Sequence, residues 1–371
     1  MSTNSSEPAG DLSHRKTRHL EICTEPEYEP EGGSAGWEHL QFRHRALPEL
    51  NWGELNTQTS FLGRAVKLPL FISSMTGGSD SSYSVNKDLA RAAQAAGIPV
   101  GMGSIRILFR KPEAFADFHL RPLARDVPIF ANLGAQQLVE EKARDGYRTL
   151  GEWLKRLEVD ATAVHLNPGQ ELYQDDGDRN FRGLKTALTD FIEHSHLPVI
   201  VKETGFGIAP DEVDFLLSAG ATYVDLAGAG GTNWLTVEAY RLDAAGYQSS
   251  EGFRDWGWPT ALLTAAVASG KGSEHRQGRI LASGGLRNGL DVAKALALGA
   301  HAAGMALPFV RAIKDAPPGG GCDAVLALIA GLERALKTAM LLSGSADVSG
   351  LRKARLDATS EFEHRLQQVR D

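Results

Sequence analysis

The sequence predicts an α/β protein folded as one (β/α)8 TIM barrel with an N-terminal extension. Three observations point there. Eight short apolar runs of strand length alternate with eight stretches of helical pattern, the arithmetic of a parallel barrel. Most runs end in a polar residue or lead within two residues into Gly, as strands do where a parallel sheet presents chemistry at its carboxyl edge. The 371 residues suffice for one large barrel, or for two ordinary domains. No single apolar run separates buried strand from buried helix, so the count of alternations carries the assignment.

Residues 1–13 are Ser-rich and polar and read as a disordered tail. Residues 14–68 form an N-terminal arm and lead-in, beginning with the basic run His14-Arg-Lys-Thr-Arg-His19 and continuing through an acidic, Gly-rich loop at 25–36. The basic run suits either a solvated tail or an arm folded over a phosphate. The barrel spans 69–346. Its strands are expected at 70–74, 98–102, 128–132, 161–165, 198–202, 222–226, 279–283 and 302–306. Helices are expected up to Ala96, after Pro112, and near 146–157, 181–195, 210–219, 259–269, 289–298 and 322–343. The gap at 232–256 is too long for an ordinary connection, so it reads as a lid or a disordered loop. The charged segment 347–371 reads as a terminal helix.

Composition narrows the function. A net charge of −7 argues against a general nucleic-acid binder, and any anionic ligand then needs a local basic cluster. Two cysteines, Cys23 and Cys322, make neither a disulfide framework nor a metal-ligand spacing, which fits a reducing compartment. No apolar run reaches membrane-span length and the N-terminus lacks the apolar core of a signal peptide, so a cytoplasmic location is expected.

The densest chemistry follows the fourth strand. His165-Leu-Asn-Pro-Gly-Gln-Glu171 places four polar side chains in seven residues, with Pro168 and Gly169 forcing a turn. Glu171 can hold a hard cation, and Asn167, Gln170 and His165 can donate or accept hydrogen bonds. An ordinary polar loop has the same composition, and the other strand ends tip the balance. After strands six to eight, Gly228-Ala-Gly-Gly-Thr232, Ser283-Gly-Gly-Leu-Arg287 and the turn at Ala306 offer free backbone N–H groups and helix N-termini that favour an anion. Tight turn geometry alone would also account for the glycines. Lys202, at the end of a buried strand, needs a partner. That partner is Glu203 or another carboxylate, or else the edge of a flavin that gains negative charge on reduction. In the second case Thr76, Ser104 and Asn132 could bond the rest of the ring.

Taken together, Ser73-Ser-Met-Thr-Gly-Gly, Gly103-Ser-Ile-Arg, Ala131-Asn-Leu-Gly, His165 to Glu171, Val201-Lys-Glu, Ala227-Gly-Ala-Gly-Gly-Thr and Ala282-Ser-Gly-Gly-Leu-Arg closely resemble the type 2, FMN-dependent isopentenyl-diphosphate delta-isomerase family. The resemblance runs from about Arg15 to about Phe309. It implies an enzyme that interconverts isopentenyl and dimethylallyl diphosphate, with reduced FMN as acid–base cofactor, NADPH as the source of reduction and Mg2+ on the diphosphate. It further implies a homotetramer or homo-octamer.

Residue by residue, the resemblance implies that Arg15, Lys16 and His19 form a substrate-binding arm. It places Ser104, Arg106, Asn167 and Gln170 on the substrate, with Ser104 also touching flavin. Gln170, His165 and His19 are the implied catalytic residues. Met75, Thr76, Gly77, Asn132, Lys202 and Thr232 match flavin contacts. Gly284, Gly285, Leu286, Arg287, Ala306 and Leu307 match the phosphate end, and Glu171 the Mg2+ ligand. Three positions depart from the pattern. Arg18 stands where an acidic residue is usual, Gly169 replaces a larger apolar residue, and Leu307 stands where Arg is common, leaving backbone N–H groups to serve the phosphate.

Two rival readings have the same barrel. An FMN-dependent oxidoreductase of the α-hydroxy acid oxidase type would consume one oxidant or reductant per product. A non-catalytic flavin- or phosphate-binding barrel would be inert toward isopentenyl diphosphate. An inosine-monophosphate-dehydrogenase-like enzyme is disfavoured because no Cys sits on a strand-end loop.

Overall fold

A computed structural model describes residues 9–25, 28, 31–74, 80–175, 177–242, 244–270 and 272–370, with backbone alone at 9–16, 80–82 and 244–245. Eight parallel strands close into a barrel: β1 Leu70–Ile72, β2 Val100–Ser104, β3 Ile129–Gly134, β4 Ala161–His165, β5 Val199–Lys202, β6 Tyr223–Asp225, β7 Ile280–Ser283 and β8 Ala302–Met305. Each pairs with its sequence neighbours, and β8 returns to β1 through Ala303 opposite Leu70. All eight strands fall where the apolar runs predict. The runs are rich in Val, Ile and Ala because helices cover the outer face while the inner face is packed.

The barrel interior is filled by large rings set against small residues. Phe71 occupies the space where a Cβ on Gly304 would lie 2.3 Å from its ring, and Phe130 does the same at Gly101. Two strands, Thr59–Phe61 and Arg64–Val66, form an antiparallel hairpin across the amino end. From it Phe61 reaches 5.7 Å from Phe71, 6.3 Å from Phe130 and 5.2 Å from Tyr223. That end is sealed with hydrocarbon, which leaves the carboxyl end for chemistry.

Register aligns the carboxyl ends. Ser104 lies opposite Asn132, His165 opposite Lys202, and Lys202 opposite Asp225. The polar residues singled out in the sequence therefore share one rim.

Several local expectations change. A helix covers Ala9–Thr24, so it begins inside the stretch 1–13 expected to be disordered; residues 1–8 lie outside the described residues. The helix expected near 146–157 is Arg148–Arg156, preceded by an unexpected helix, Ala135–Asp145. That helix starts on Gly134 without a side-chain cap, and most of its residues are polar, so the sequence gives little signal for it. The described residues of the 232–256 segment carry helices Trp234–Ala239 and Ala244–Ser250. The turn expected at Pro168 and Gly169 is the first turn of a short helix, Pro168–Tyr173, because Pro sits well at the first helical position. The terminal helix is Ser360–Arg370, reached through a strand, Leu356–Ala358, that pairs with Leu40–Phe42. Among the described residues no helix is long and apolar enough to cross a membrane.

The N-terminal helix is docked. Its Ile22 and Cys23 are buried with Val237 of the 232–256 segment and with Leu307, which starts helix Leu307–Lys314 after β8. The arm thus rests on both the expected lid and the expected phosphate end.

Candidate active site

A cleft of about 580 Å3 opens at the carboxyl end of the barrel. Lys202, Thr232, Gly284, Gly285, Leu286, Arg287, Ala306 and Leu307, the residues that the resemblance assigns to the flavin, all line it. Ser74 and Trp234 join them. Met75, Thr76 and Gly77 lie outside the described residues.

One end of the cleft is built to take an anion. Gly284 has φ +93°, and a Cβ there would lie 2.2 Å from the Gly228 carbonyl oxygen. A Cβ on Gly231 would lie 2.6 Å from the Gly285 nitrogen. The loops after β6 and β7 can approach this closely only as bare backbone. Thr260 ties them together, its hydroxyl donating to the Gly284 carbonyl at 2.6 Å. The N-terminus of helix Leu307–Lys314 opens onto the same end through Ala306 and Leu307. Arg287 lines the cleft and lies 3.1 Å from Glu31, which also holds Arg311 at 3.0 Å.

Lys202 supplies charge at the other end. It is buried, and its ammonium donates to the Glu203 backbone carbonyl at 2.5 Å. Among the described residues it has no carboxylate within ion-pairing distance. Burial pulls its pKa down, against the pull of the Asp225 and Glu203 charges. Glu203 is otherwise engaged: its carboxylate accepts backbone N–H bonds from Thr204, Gly205, Phe206 and Gly207, which shapes the loop after β5. Asp225 accepts from the Ser283 hydroxyl at 2.7 Å. A buried ammonium lining a cleft with only a carbonyl for company suits a ligand edge that carries or gains negative charge.

A second cluster stands beside the cleft. Glu238, on helix Trp234–Ala239, is completely buried. Its Oε1 lies 3.0 Å from His19 Nε2 and accepts from Gln170 Nε2 at 2.9 Å, and its other oxygen holds Arg241. Burial pushes the Glu238 carboxyl up, but the His19 charge and bond, with Gln170 and Arg241, outweigh it and hold the pKa at about 2. Asn167 stands just before the short helix, and its side-chain amide donates to Gln170 at 3.1 Å and to Glu171 at 3.0 Å. Its Oδ1 is buried with no partner among the described residues. The second Glu171 oxygen accepts the Asp178 N–H at 3.0 Å. Trp234 bridges the two regions, lining the cleft while its ring meets His19 edge-on at 5.4 Å.

Asn132, expected at the flavin, has its Oδ1 bonded to His165 Nδ1 at 2.9 Å. Ser104 is the cap of a short 3-10 turn, accepting from the Arg106 N–H at 3.5 Å. The side chains of Arg15 and Lys16 are not among those described.

The three departures from the family pattern each have a physical account. Arg18 bonds Glu21 at 3.1 Å and sits 4.9 Å over the Tyr28 ring, fastening the helix to the chain that follows it. Leu307 is an apolar anchor for the N-terminal helix, and Arg287 supplies the cation facing the cleft. At Gly169 a Cβ would lie 2.3 Å from the Phe206 ring, so an aromatic from the next loop fills the volume a larger residue would take.

Sequence reasoning missed Glu238, Trp234 and Thr260. The helix that carries the first two was legible, because Asn233 precedes it and accepts the Thr236 N–H at 3.1 Å, but residue type singles out neither side chain. Thr260 gives no signal, because its role is to cross-link loops distant in sequence.

The family model described as FMN-dependent dehydrogenase matches residues 10–122 and 185–358. Curated relatives named isopentenyl-diphosphate delta-isomerase align over almost the whole chain. The one from Borrelia garinii subsp. bavariensis is 41% identical, covering 92% of each chain. Its counterpart from Methanoregula boonei is 38% identical, covering 94% of each. That from Pyrococcus furiosus is 36% identical, covering 95% of this chain and 89% of the other. Among solved structures, a lactate oxidase from Pediococcus acidilactici superposes with a TM-score of 0.66 at 18% identity, covering 94% of each chain. At that identity the likeness speaks for the fold alone.

Proposed function

This chain belongs to the type 2 isopentenyl-diphosphate delta-isomerase family, within the FMN-dependent dehydrogenases, and from that premise we propose that it interconverts isopentenyl and dimethylallyl diphosphate using reduced FMN and Mg2+. The observation that carries the proposal is the junction at Trp234. On one side lies an anion-cradling cleft with a buried ammonium; on the other, a closed carboxylate–imidazole–amide cluster. An oxidase of hydroxy acids needs no such cluster, nor the Glu171 carboxylate that Asn167 and the Asp178 N–H hold beside it.

The residues present fit both groups. Gly284, Gly285, Arg287 and the Leu307 helix N-terminus would hold the FMN phosphate, and Lys202 the ring edge that gains charge on reduction. Glu171 would hold Mg2+ together with substrate oxygens. Among the described residues no group of three or more His, Cys, Asp or Glu is placed to hold an ion. When bound, reduced FMN supplies the acid–base function that an isolated alkene demands and that ordinary side chains lack. NADPH would serve to reduce it.

The chain's own residues prepare the site. Protonation of the alkene leaves a tertiary cation, and loss of a proton from the adjacent carbon completes the shift. The Glu238 carboxylate is buried against His19 and Gln170, and the Gln170 and Asn167 amides can orient the substrate. The docked N-terminal helix and helix Trp234–Ala239 exclude water that would capture the cation. Arg106 and the Arg15–Lys16 pair would neutralise the diphosphate.

The test is an absorbance spectrum of the purified protein, then anaerobic incubation of isopentenyl diphosphate with Mg2+ and reduced flavin. Dimethylallyl diphosphate should form without net consumption of reductant. Consumption of one oxidant or reductant per product would instead indicate the oxidoreductase.

Two substitutions divide the labour. Glu171→Gln should raise the Mg2+ requirement by roughly 10- to 100-fold at unchanged FMN content. Wild-type Mg2+ dependence would remove Glu171 from the metal site. Lys202→Met should lower the midpoint potential of bound flavin by at least ~30 mV, because an anionic reduced ring loses its cation. A potentiometric titration reads this directly, and an unmoved potential would separate Lys202 from the ring.

A further inference from the structure

The helix Pro168–Tyr173 carries Gln170 and Glu171, yet it has only six residues and buries none of them. A helix this short does not hold its own orientation in water. Leu172 on it is half exposed. Something outside the helix must therefore fix where Gln170 and Glu171 point.

Helix Trp234–Ala239 packs along one side of it, and the Phe206 ring meets it at Gly169. A Cβ there would lie 2.3 Å from one ring carbon and 3.2 and 3.3 Å from its two neighbours, so the edge of the ring points into the volume a side chain would take. Phe206 is itself held on both sides. The Glu203 carboxylate accepts the backbone N–H groups of Thr204, Gly205 and Phe206. The Phe206 carbonyl accepts from the Trp258 N–H at 2.9 Å. A Cβ on Gly257 would lie 2.6 Å from the same carbonyl oxygen, so backbone presses on backbone there. Neither Glu203 nor Phe206 lines the cleft.

We infer that Phe206 is a positioning residue: its ring is a fixed stop that sets the orientation of the helix bearing Gln170 and Glu171, and position 169 is glycine because the ring occupies its side-chain volume. The inference deepens the isomerase reading, since the two residues it positions are those assigned to substrate and metal. It explains why a small residue stands where the family pattern has a larger one: the stop is supplied from the loop after β5 instead of from the helix itself. Glu203, buried below the cleft, then acts on the metal site through the backbone it organises.

Three variants test it: Gly169→Ala, Phe206→Leu, and the two combined. Gly169→Ala drives a methyl into the ring and should tilt the helix, speeding amide hydrogen exchange across 167–173. It should also weaken binding of Mg2+ with inorganic pyrophosphate by ~10-fold in calorimetry, the scale of loss for a misplaced ligand. FMN content should stay at the wild-type level. Phe206→Leu alone removes the stop and should speed exchange in the same segment. The double variant gives the methyl room and should recover pyrophosphate binding to within ~3-fold of wild type, a rescue that general destabilisation would not produce. Wild-type exchange at 167–173 in Phe206→Leu overturns the inference even where Gly169→Ala does not fold. A double variant no better than Gly169→Ala overturns it as well. Exchange and pyrophosphate binding need no turnover, so both readouts stand whether or not isopentenyl diphosphate proves to be the substrate.

Discussion

Glu238→Gln is expected to lower kcat for isomerisation by about two to three orders of magnitude while FMN stays bound. The carboxylate is fully buried and serves three partners at once: His19, Gln170 and Arg241. The amide keeps the size and removes the charge, so the imidazole and guanidinium lose their counter-ion in a dry setting. Gln170 then faces an amide that can present its NH2 in place of an acceptor. Rapid-quench product analysis at saturating substrate measures kcat, and a value within threefold of wild type would exclude Glu238 from the chemistry. The same carboxylate sets an acid limit on the fold. Its pKa lies at about 2 in the folded protein against an ordinary 4.5. The stabilisation is complete above 4.5 and disappears as pH falls toward about 2, a gap worth ~3 kcal/mol. Denaturant melts at pH 6, 4 and 3 should therefore show the wild type losing more stability on acidification than Glu238→Gln does.

Gly284→Ala is expected to abolish flavin retention, weakening FMN by at least ~100-fold through a strained and misplaced phosphate loop. The position has φ +93°, and the added methyl meets the Gly228 oxygen at 2.2 Å and its nitrogen at 2.9 Å. These are backbone atoms of the neighbouring loop, so no rotamer change relieves the contact. The loops after β6 and β7 must separate, breaking the Thr260 tie to the Gly284 carbonyl. Flavin absorbance after gel filtration reads retention, and far-ultraviolet circular dichroism shows whether the barrel survives. A folded variant that keeps its yellow colour would show that the phosphate binds elsewhere.

The barrel was readable because its strands are buried on both faces, which leaves apolar runs too short and too regular for another architecture. The strand-end motifs were equally readable, since each must sit at a carboxyl edge. Helix Ala135–Asp145 was not: it is mostly polar and begins without a side-chain cap. The short helix after Asn167 looked like a turn because Pro and Gly mark both turns and first helical turns. Within the site, residues whose partners are local in sequence, such as Asn167 with Gln170 and Glu171, could be grouped in advance. Glu238 could not, because its partners come from 68 residues upstream in Gln170 and from the N-terminal helix in His19. Asn132 shows the converse: its rim position was right, but only coordinates reveal that His165 has claimed its oxygen.

The plug of Phe61, Phe71 and Phe130 has a consequence for traffic. A vessel stoppered at its base has one doorway, so whatever sits deepest arrives first and departs last. A flavin seated at the rim would then load and leave through the same mouth that a substrate uses, a competition that order-of-addition experiments read directly.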